Sequence, residues 1–339
     1  MQQALEVELT AIVQAVAFPA PGLVTFAGRT APHAAAASAP TGVPDGTPLV
    51  AQLQSLFYEY CYFRRFNGAA PDRLAVPLAG DDLAPALSVA NGSRDRWDAG
   101  WQLKQTLPNG QIVAVKGAMT RMAWPGEFHA HGAPGVPPQP GAEISLFAPR
   151  ESLLSQPGFY FAFGETLADQ QEDFGVVRFY WNTTVQGAPR LVGAIAAALN
   201  RYAVPFRFKC LRLPAQYDRT DAAVLYVARR HNRIVALLAP EIHAAVRQEL
   251  KPATPLFSKR LADGLGFAED PRTGESFGMH RCRLMAEAVC RAHQRGDEAA
   301  DVRLREIAEA FAAAGLSLER PYLNIGSADP YDFEELRAA

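Results

Sequence analysis

Lysine is scarce in this chain. Of 33 basic residues only Lys104, Lys116, Lys209, Lys251 and Lys259 are lysines, so the position of each is more informative than that of an average arginine. Cysteine is scarcer still. Cys61, Cys210, Cys282 and Cys290 form no CxxC pair, and each falls in a run with an apolar face. Buried free thiols in a reducing compartment are therefore expected, not a disulfide scaffold. No run approaches the ~18 apolar residues that a membrane-spanning helix needs. The first residues carry Glu6 and Glu8 where a secretory leader would be basic. These features predict a cytoplasmic protein with no membrane partner. The net charge of −2 argues against nucleic acid as a partner. There is no GxxxxGK[ST] loop, no GxGxxG after a strand, no HExxH and no GxSxG, so nucleotide and zinc chemistry are not expected. His129 and His131 form an HAH pair without a third ligand at suitable spacing, and neither a metal nor another cofactor is predicted.

What is present is core material: 49% of residues are apolar and 20% charged, enough to bury a sizeable interior. Apolar spacing predicts helices at 3–17 and 48–66, separated by a flexible loop at 28–47 rich in Ala, Pro and small residues. The centre switches to period two. WQLKQTL and QIVAVKGAMTRM read as a hairpin around a PNG turn. EISLFAP, GFYFAFGE, GVVRFYWNTT, VPFRFKCLRL and DAAVLYVARR read as strands, with RIVALLA as a further possible one. Residues 129–141 and most of 252–276 read as loop. Helices are predicted at 189–202, 240–250, 278–293 and 298–314. Helices at both chain ends around a run of strands predict an α+β fold with a mostly antiparallel, twisted sheet. The whole chain, 1–339, reads as one domain, with 1–95 a helical N-terminal portion and 96–325 its core.

The strands carry an unusual polar face. In VPFRFKCLRL, Arg207 and Lys209 lie opposite Phe206, Phe208 and Cys210, and the stretch has no acid. In VVRFYWN, Arg178, Tyr180 and Asn182 share a face. If these strands are neighbours, their polar faces form a cationic ledge; Arg219 and Asp221 flank the start of the next strand. Like charges on one strand face repel, and a bound anion would offset that cost. A solvated sheet face is the plain alternative. Farther on, Ser276 can cap the helix that follows, with His280 and Arg281 in its early turns.

The run RFYWN, a helix, PFRFKC, YDRTDAAVLY and PLFSKRLADGLGFAEDPRTGESFGMHR resembles, in order and spacing, the HopA-type effector family of type III secreted proteins over roughly residues 100–325. Relatives of that family serve as the phosphoserine/phosphothreonine lyase of class V lanthipeptide and thioamitide biosynthesis. The resemblance implies elimination of phosphate from a precursor peptide, phosphorylated by a kinase-like partner, to leave dehydroalanine or dehydrobutyrine; a cyclase would be a further partner. Such chemistry needs a base, a phosphate cradle and, in some settings, an acid. Neighbouring cations favour the neutral form of an amine, which suits Lys209 as base, with Lys116 as competitor. Arg178, Arg207, Arg219 and Arg281, with Ser276, suit phosphate binding. His280, or His129 and His131, could protonate the leaving group. Tyr180, Asn182 and Asp221 could position the peptide. Two rivals stand beside this reading: a secreted effector acting on or binding a host protein, and a non-catalytic binder of phosphopeptides or leader peptides.

Overall fold

The computed structural model describes residues 2–30, 48–68, 81–132, 136–169, 175–329, 331 and 333. The N-terminal part is not wholly helical. After α1 (Gln2–Gln14) the chain forms a three-stranded sheet, β1 (Val16–Ala20), β2 (Leu23–Phe26) and β3 (Arg29–Thr30). The start of the expected loop 28–47 is thus a turn and strand; residues 31–47 lie outside the described residues. The next helix, α2 (Pro48–Phe57), passes into a π-turn at Tyr58–Tyr62. Tyr60, Cys61 and Tyr62 are all buried there. Leu56, Phe57 and Phe63 beside them are buried as well, so this segment is enclosed on more than one side. A short α3 (Ala84–Ala90) follows.

Two antiparallel sheets make up the rest of the β structure. The smaller joins β4 (Arg96–Thr106), β5 (Ile112–Lys116), β6 (Met119–Ala123), β7 (Phe128–Ala130) and β8 (Glu143–Ala148) in the order β6-β5-β4-β8-β7. It buries its own apolar cluster around Trp101, Leu103, Ile112 and Ile144. β7 occupies part of the stretch read as a loop at 129–141. The larger sheet contains β9 (Glu151–Ser152), β10 (Phe159–Phe163), β11 (Val176–Trp181), β12 (Arg207–Leu211), β13 (Ala223–Ala228), β14 (Lys259–Ala262) and β15 (Leu265–Glu269). Its order is β14-β15-β11-β13-β12-β10-β9. The fold is α+β with antiparallel sheets and helices at both ends of the chain, as the order of elements predicted.

Alternation along β11 sets the two faces of the large sheet. Trp181 points to α5 (Asn232–Val246), its ring 6.4 Å from His243. Tyr180 points the other way, 6.4 Å from the Tyr62 ring and 6.3 Å from Phe277 at the start of α6 (Phe277–Gln294). The remaining helices are α4 (Gly187–Arg201), packed on α5, and α7 (Ala300–Ala313), packed on α6. All four cysteines are buried and unpaired. Among the described residues no helix is long and apolar enough to cross a membrane.

Two readings of the sequence need correction. RIVALLA is the first half of α5, not a strand: Val235, Leu238, Ala239 and Ile242 are buried at helical spacing, and Pro240 is tolerated within the helix. Residues 252–276 contain the β14–β15 hairpin, whose Asp263–Gly264 turn is a hairpin signal that the surrounding loop-like composition obscured. Gly264 has φ +68°, and a Cβ there would press on the Lys251 carbonyl.

The contact between α6 and the π-turn yields a prediction. Gly278 lies against the Tyr62 ring so closely that a Cβ would fall inside van der Waals contact. Alanine gains about 1 kcal/mol of helix propensity, but overpacking costs about 1–3 kcal/mol, and here the obstacle is a ring wedged between Tyr58 and Tyr180. Gly278→Ala should therefore lower stability by up to about 2 kcal/mol in urea unfolding. An unchanged midpoint would mean that Tyr62 yields freely.

Candidate functional site: a cationic row across the large sheet

β11 and β12 are not neighbours, because β13 runs between them. The register still puts their polar residues on one face. Arg207 pairs with Tyr226, and Tyr226 pairs with Arg178. One step along, Lys209 pairs with Val224, and Val224 with Tyr180. Tyr226 thus stands at the centre of the cations. The Arg207 guanidinium lies 4.9 Å from its ring centroid, that of Arg178 5.3 Å, and the Lys209 Nζ 5.9 Å. Lys209 also sits 4.3 Å over the Phe159 ring and donates to Gln156 Oε1 at 3.3 Å. Aromatic faces attract cations, which offsets part of the repulsion among the three.

The cations differ in how free they are. Arg178 is mostly buried and donates to Asp270, with Nε–Oδ2 at 2.8 Å. Arg219 binds both Asp221 oxygens at 2.8 Å and lies 4.0 Å over the Phe63 ring. Burial of Asp221 opposes its charge, but Arg219, by charge and by hydrogen bonds, and then Lys209 outweigh this and hold the carboxyl below its ordinary range. Asp221 is thus a charge partner within the row, which leaves it poorly placed to contact a peptide. Arg207 is exposed, and Lys209 is half-buried at the rim. Three cations face Tyr226, with Asp270 bound to Arg178 and Asp221 acting on Lys209, so positive charges outnumber these two carboxylates although the whole chain is slightly acidic.

Other expected site residues fall elsewhere. Tyr180 is on the right face but buried beneath Tyr62 and Phe277; its hydroxyl makes no hydrogen bond among the described residues, and burial pushes it up to about 12. Asn182 lies past the end of β11, where its amide donates to the Ala253 carbonyl at 2.9 Å and anchors a loop. Arg281 is fully buried. It donates to the carbonyls of Pro321 and Leu323 and to His280 Nδ1, tying α6 to the C-terminal loop, so it has no exposed donor for phosphate. Ser276 is the N-cap of α6, accepting from the Met279 amide at 3.3 Å. Lys116 belongs to the small sheet, bonded to Asp98 at 3.0 Å and to the Ala99 carbonyl at 2.6 Å. His129 and His131 lie on that sheet too, with His131 Nε2 2.9 Å from the Ser145 hydroxyl. No group of three or more potential metal ligands occurs among the described residues.

His280 is also unsuited to act as an acid at neutral pH. Burial first, then Arg281 and Arg283, lower its pKa to about 4 against the opposing effect of Glu275. The unfolded chain takes up a proton near pH 6.5 that the folded protein refuses until about pH 4. Its contribution to stability is complete above pH 6.5, declines as the pH falls to about 4 and is then constant. His280→Gln keeps an acceptor for Arg281 without titrating, so its unfolding midpoint should fall less steeply than the wild type between pH 6.5 and 4. Parallel profiles would overturn this assignment.

Sequence reasoning missed Tyr226, Phe159, Gln156 and Asp270. The alternation of Val224, Tyr226 and Ala228 placed Tyr226 on one face, but which residues would flank it depends on pairing. A larger cavity of about 570 Å³ lies between α1 and residues 252–260. Of its charged residues, Glu8 and Arg65 bind each other and Arg260 binds Asp263, so the cationic row is the stronger candidate.

Comparison with known proteins fits this part of the chain. The model of the HopA1 effector protein family matches residues 150–323, a span that includes every strand of the large sheet. An effector protein from Pseudomonas syringae pv. tomato strain DC3000 aligns with 51% of this chain at 21% identity and a TM-score of 0.41. The chain covers 66% of that protein's length. An effector from Pseudomonas syringae pv. syringae strain 61 aligns with 51% of this chain, over 67% of its own length, at 18% identity and a TM-score of 0.37. A search of curated proteins finds no match. Since the family match takes in just over half of its residues, the chain belongs to the HopA1 effector protein family.

Proposed function

We propose that the protein is a phosphoserine/phosphothreonine lyase acting on a precursor peptide phosphorylated by a kinase-like partner. The observation that carries this reading is the convergence of Lys209, Arg207 and Arg178 on Tyr226 at one face of the large sheet. In the proposed reaction the Lys209 amine, once it has given a proton to solvent, removes the Cα proton of the phosphorylated residue. The electrons of that bond form the Cα=Cβ double bond, and the Cβ–O bond breaks with its electron pair leaving on phosphate. Lys209 becomes an ammonium ion and later returns its proton to solvent. Arg207, the exposed arginine, is the direct phosphate ligand; Arg178 and Arg219, committed to Asp270 and Asp221, contribute through their field. The departing group is inorganic phosphate, whose negative charge Arg207 shares, so the proposed reaction runs without His280 as acid. No cofactor takes part.

A second reading, favoured by the family match, is an effector that acts on or binds a host protein. One assay tests the lyase reading. Incubation with a phosphothreonine peptide should release inorganic phosphate and leave a peptide lighter by phosphoric acid. A product that has kept water at that residue means hydrolysis and overturns the lyase reading. Binding without any mass change supports the non-catalytic alternative.

A further inference from the structure

Beyond Tyr226 the same face of the large sheet turns apolar. Val176 pairs with Ala228, which lies on the Tyr226 side of β13, and Phe163 pairs with Arg207. Gly164, Thr166, Leu167, Ala168 and, from the small sheet, Arg121 line a cleft of about 250 Å³ at these strand ends. Segment 164–169 is tied to the small sheet: Arg121 donates to the Ala168 carbonyl at 2.8 Å, and the Thr120 amide donates to Asp169 at 3.3 Å. Phe163, Leu167, Val176 and Ala228 form much of the wall, no carboxylate lines it among the described residues, and Arg207 belongs to both cleft and cationic row.

We infer that this cleft is a specificity subsite for an apolar side chain two residues from the phosphorylated one; the inference rests on the function proposed above. Its geometry comes from β12. Lys209, Arg207 and Pro205 succeed one another at every second residue, and an extended chain rises about 3.3 Å per residue. A peptide lying extended along β12 with its phosphorylated residue over Arg207, where the Lys209 amine shares the Tyr226 ring with that guanidinium, has the same rise. Its next side chain on that face, two residues away, reaches the cleft beside Pro205 and Ala228. Two features select the occupant. The cationic mouth continues into the row that takes the phosphate, and the walls offer an aliphatic side chain apolar contact while leaving an ammonium partly desolvated and facing Arg207.

The test uses phosphothreonine peptides carrying Ala, Leu or Lys two residues before or after the phosphothreonine. For one of the two positions, kcat/KM with Leu should exceed that with Lys by about tenfold or more. Ala228→Phe, which fills the cleft, should bring the Leu peptide down to the rate of the Ala peptide. Thr166→Leu provides a second, smaller filling with the same direction of effect. Equal rates for all three residues at both positions overturn the inference. If no peptide is eliminated, binding of the same labelled peptides by fluorescence anisotropy decides. A Leu preference in Kd upholds the subsite while the lyase reading fails, whereas absent preference or absent binding overturns the subsite as well.

Discussion

Lys209→Met is expected to reduce phosphate elimination by about 10²–10⁴-fold in kcat, the range of a lost general base, while phosphopeptide affinity changes only severalfold. The reasoning is positional. Lys209 sits one step along the sheet from the Arg207–Tyr226–Arg178 row, at the rim where a substrate Cα can approach, and Phe159 and Gln156 hold its amine. Met preserves the aliphatic stem against Phe159 and removes the nitrogen alone. Arg207→Ala should act differently, raising KM more than it lowers kcat, because a phosphate ligand already works in the bound ground state. Measuring phosphate release at saturating and limiting peptide separates the two variants. If Lys209→Met and Arg207→Ala weaken KM and kcat in the same proportions, Lys209 is a second anion ligand and the base must be sought elsewhere.

Asp270→Ala is expected to destabilise the fold by about 3 kcal/mol. Arg178 is mostly buried, and Asp270 is its carboxylate partner, binding it through both Nε and Nη2. Removing one member of such a pair leaves an uncompensated charge away from water, which costs about 3–5 kcal/mol. The lower end applies because Asp270 is itself partly exposed. The same substitution frees a cation beside the proposed phosphate site, so millimolar inorganic phosphate should restore part of the lost stability. Chemical denaturation with and without phosphate measures both effects. A wild-type midpoint without phosphate would mean that the Tyr226 ring alone compensates Arg178.

The strands of the large sheet could be read well because side-chain direction alternates locally. Arg207 and Lys209 fall on the face opposite Phe208 and Cys210 whatever the partner strand, as the period-two pattern implied. Ser276 was recognisable as a cap because capping depends on the next few residues. RIVALLA was misread because a short apolar run has no period of its own, and only packing against α4 and the sheet makes it helical. The hairpin at Asp263–Gly264 was hidden by the Pro and Gly around it. Asn182 continued the strand pattern on paper, but β11 ends at Trp181 and its amide turns to the Ala253 carbonyl.

The amino-acid sequence alone settled the alternating strands, the helical ends of the chain, the burial of the cysteines and the placing of Arg207 and Lys209 on one polar face, because each depends on local period and composition. Tertiary structure decided that β13 separates β11 from β12 and so puts Tyr226 among the cations. It also assigned Lys116 to another sheet and buried Arg281 under the C-terminal loop. Those outcomes depend on pairing between residues dozens of positions apart, set by which faces can be buried together.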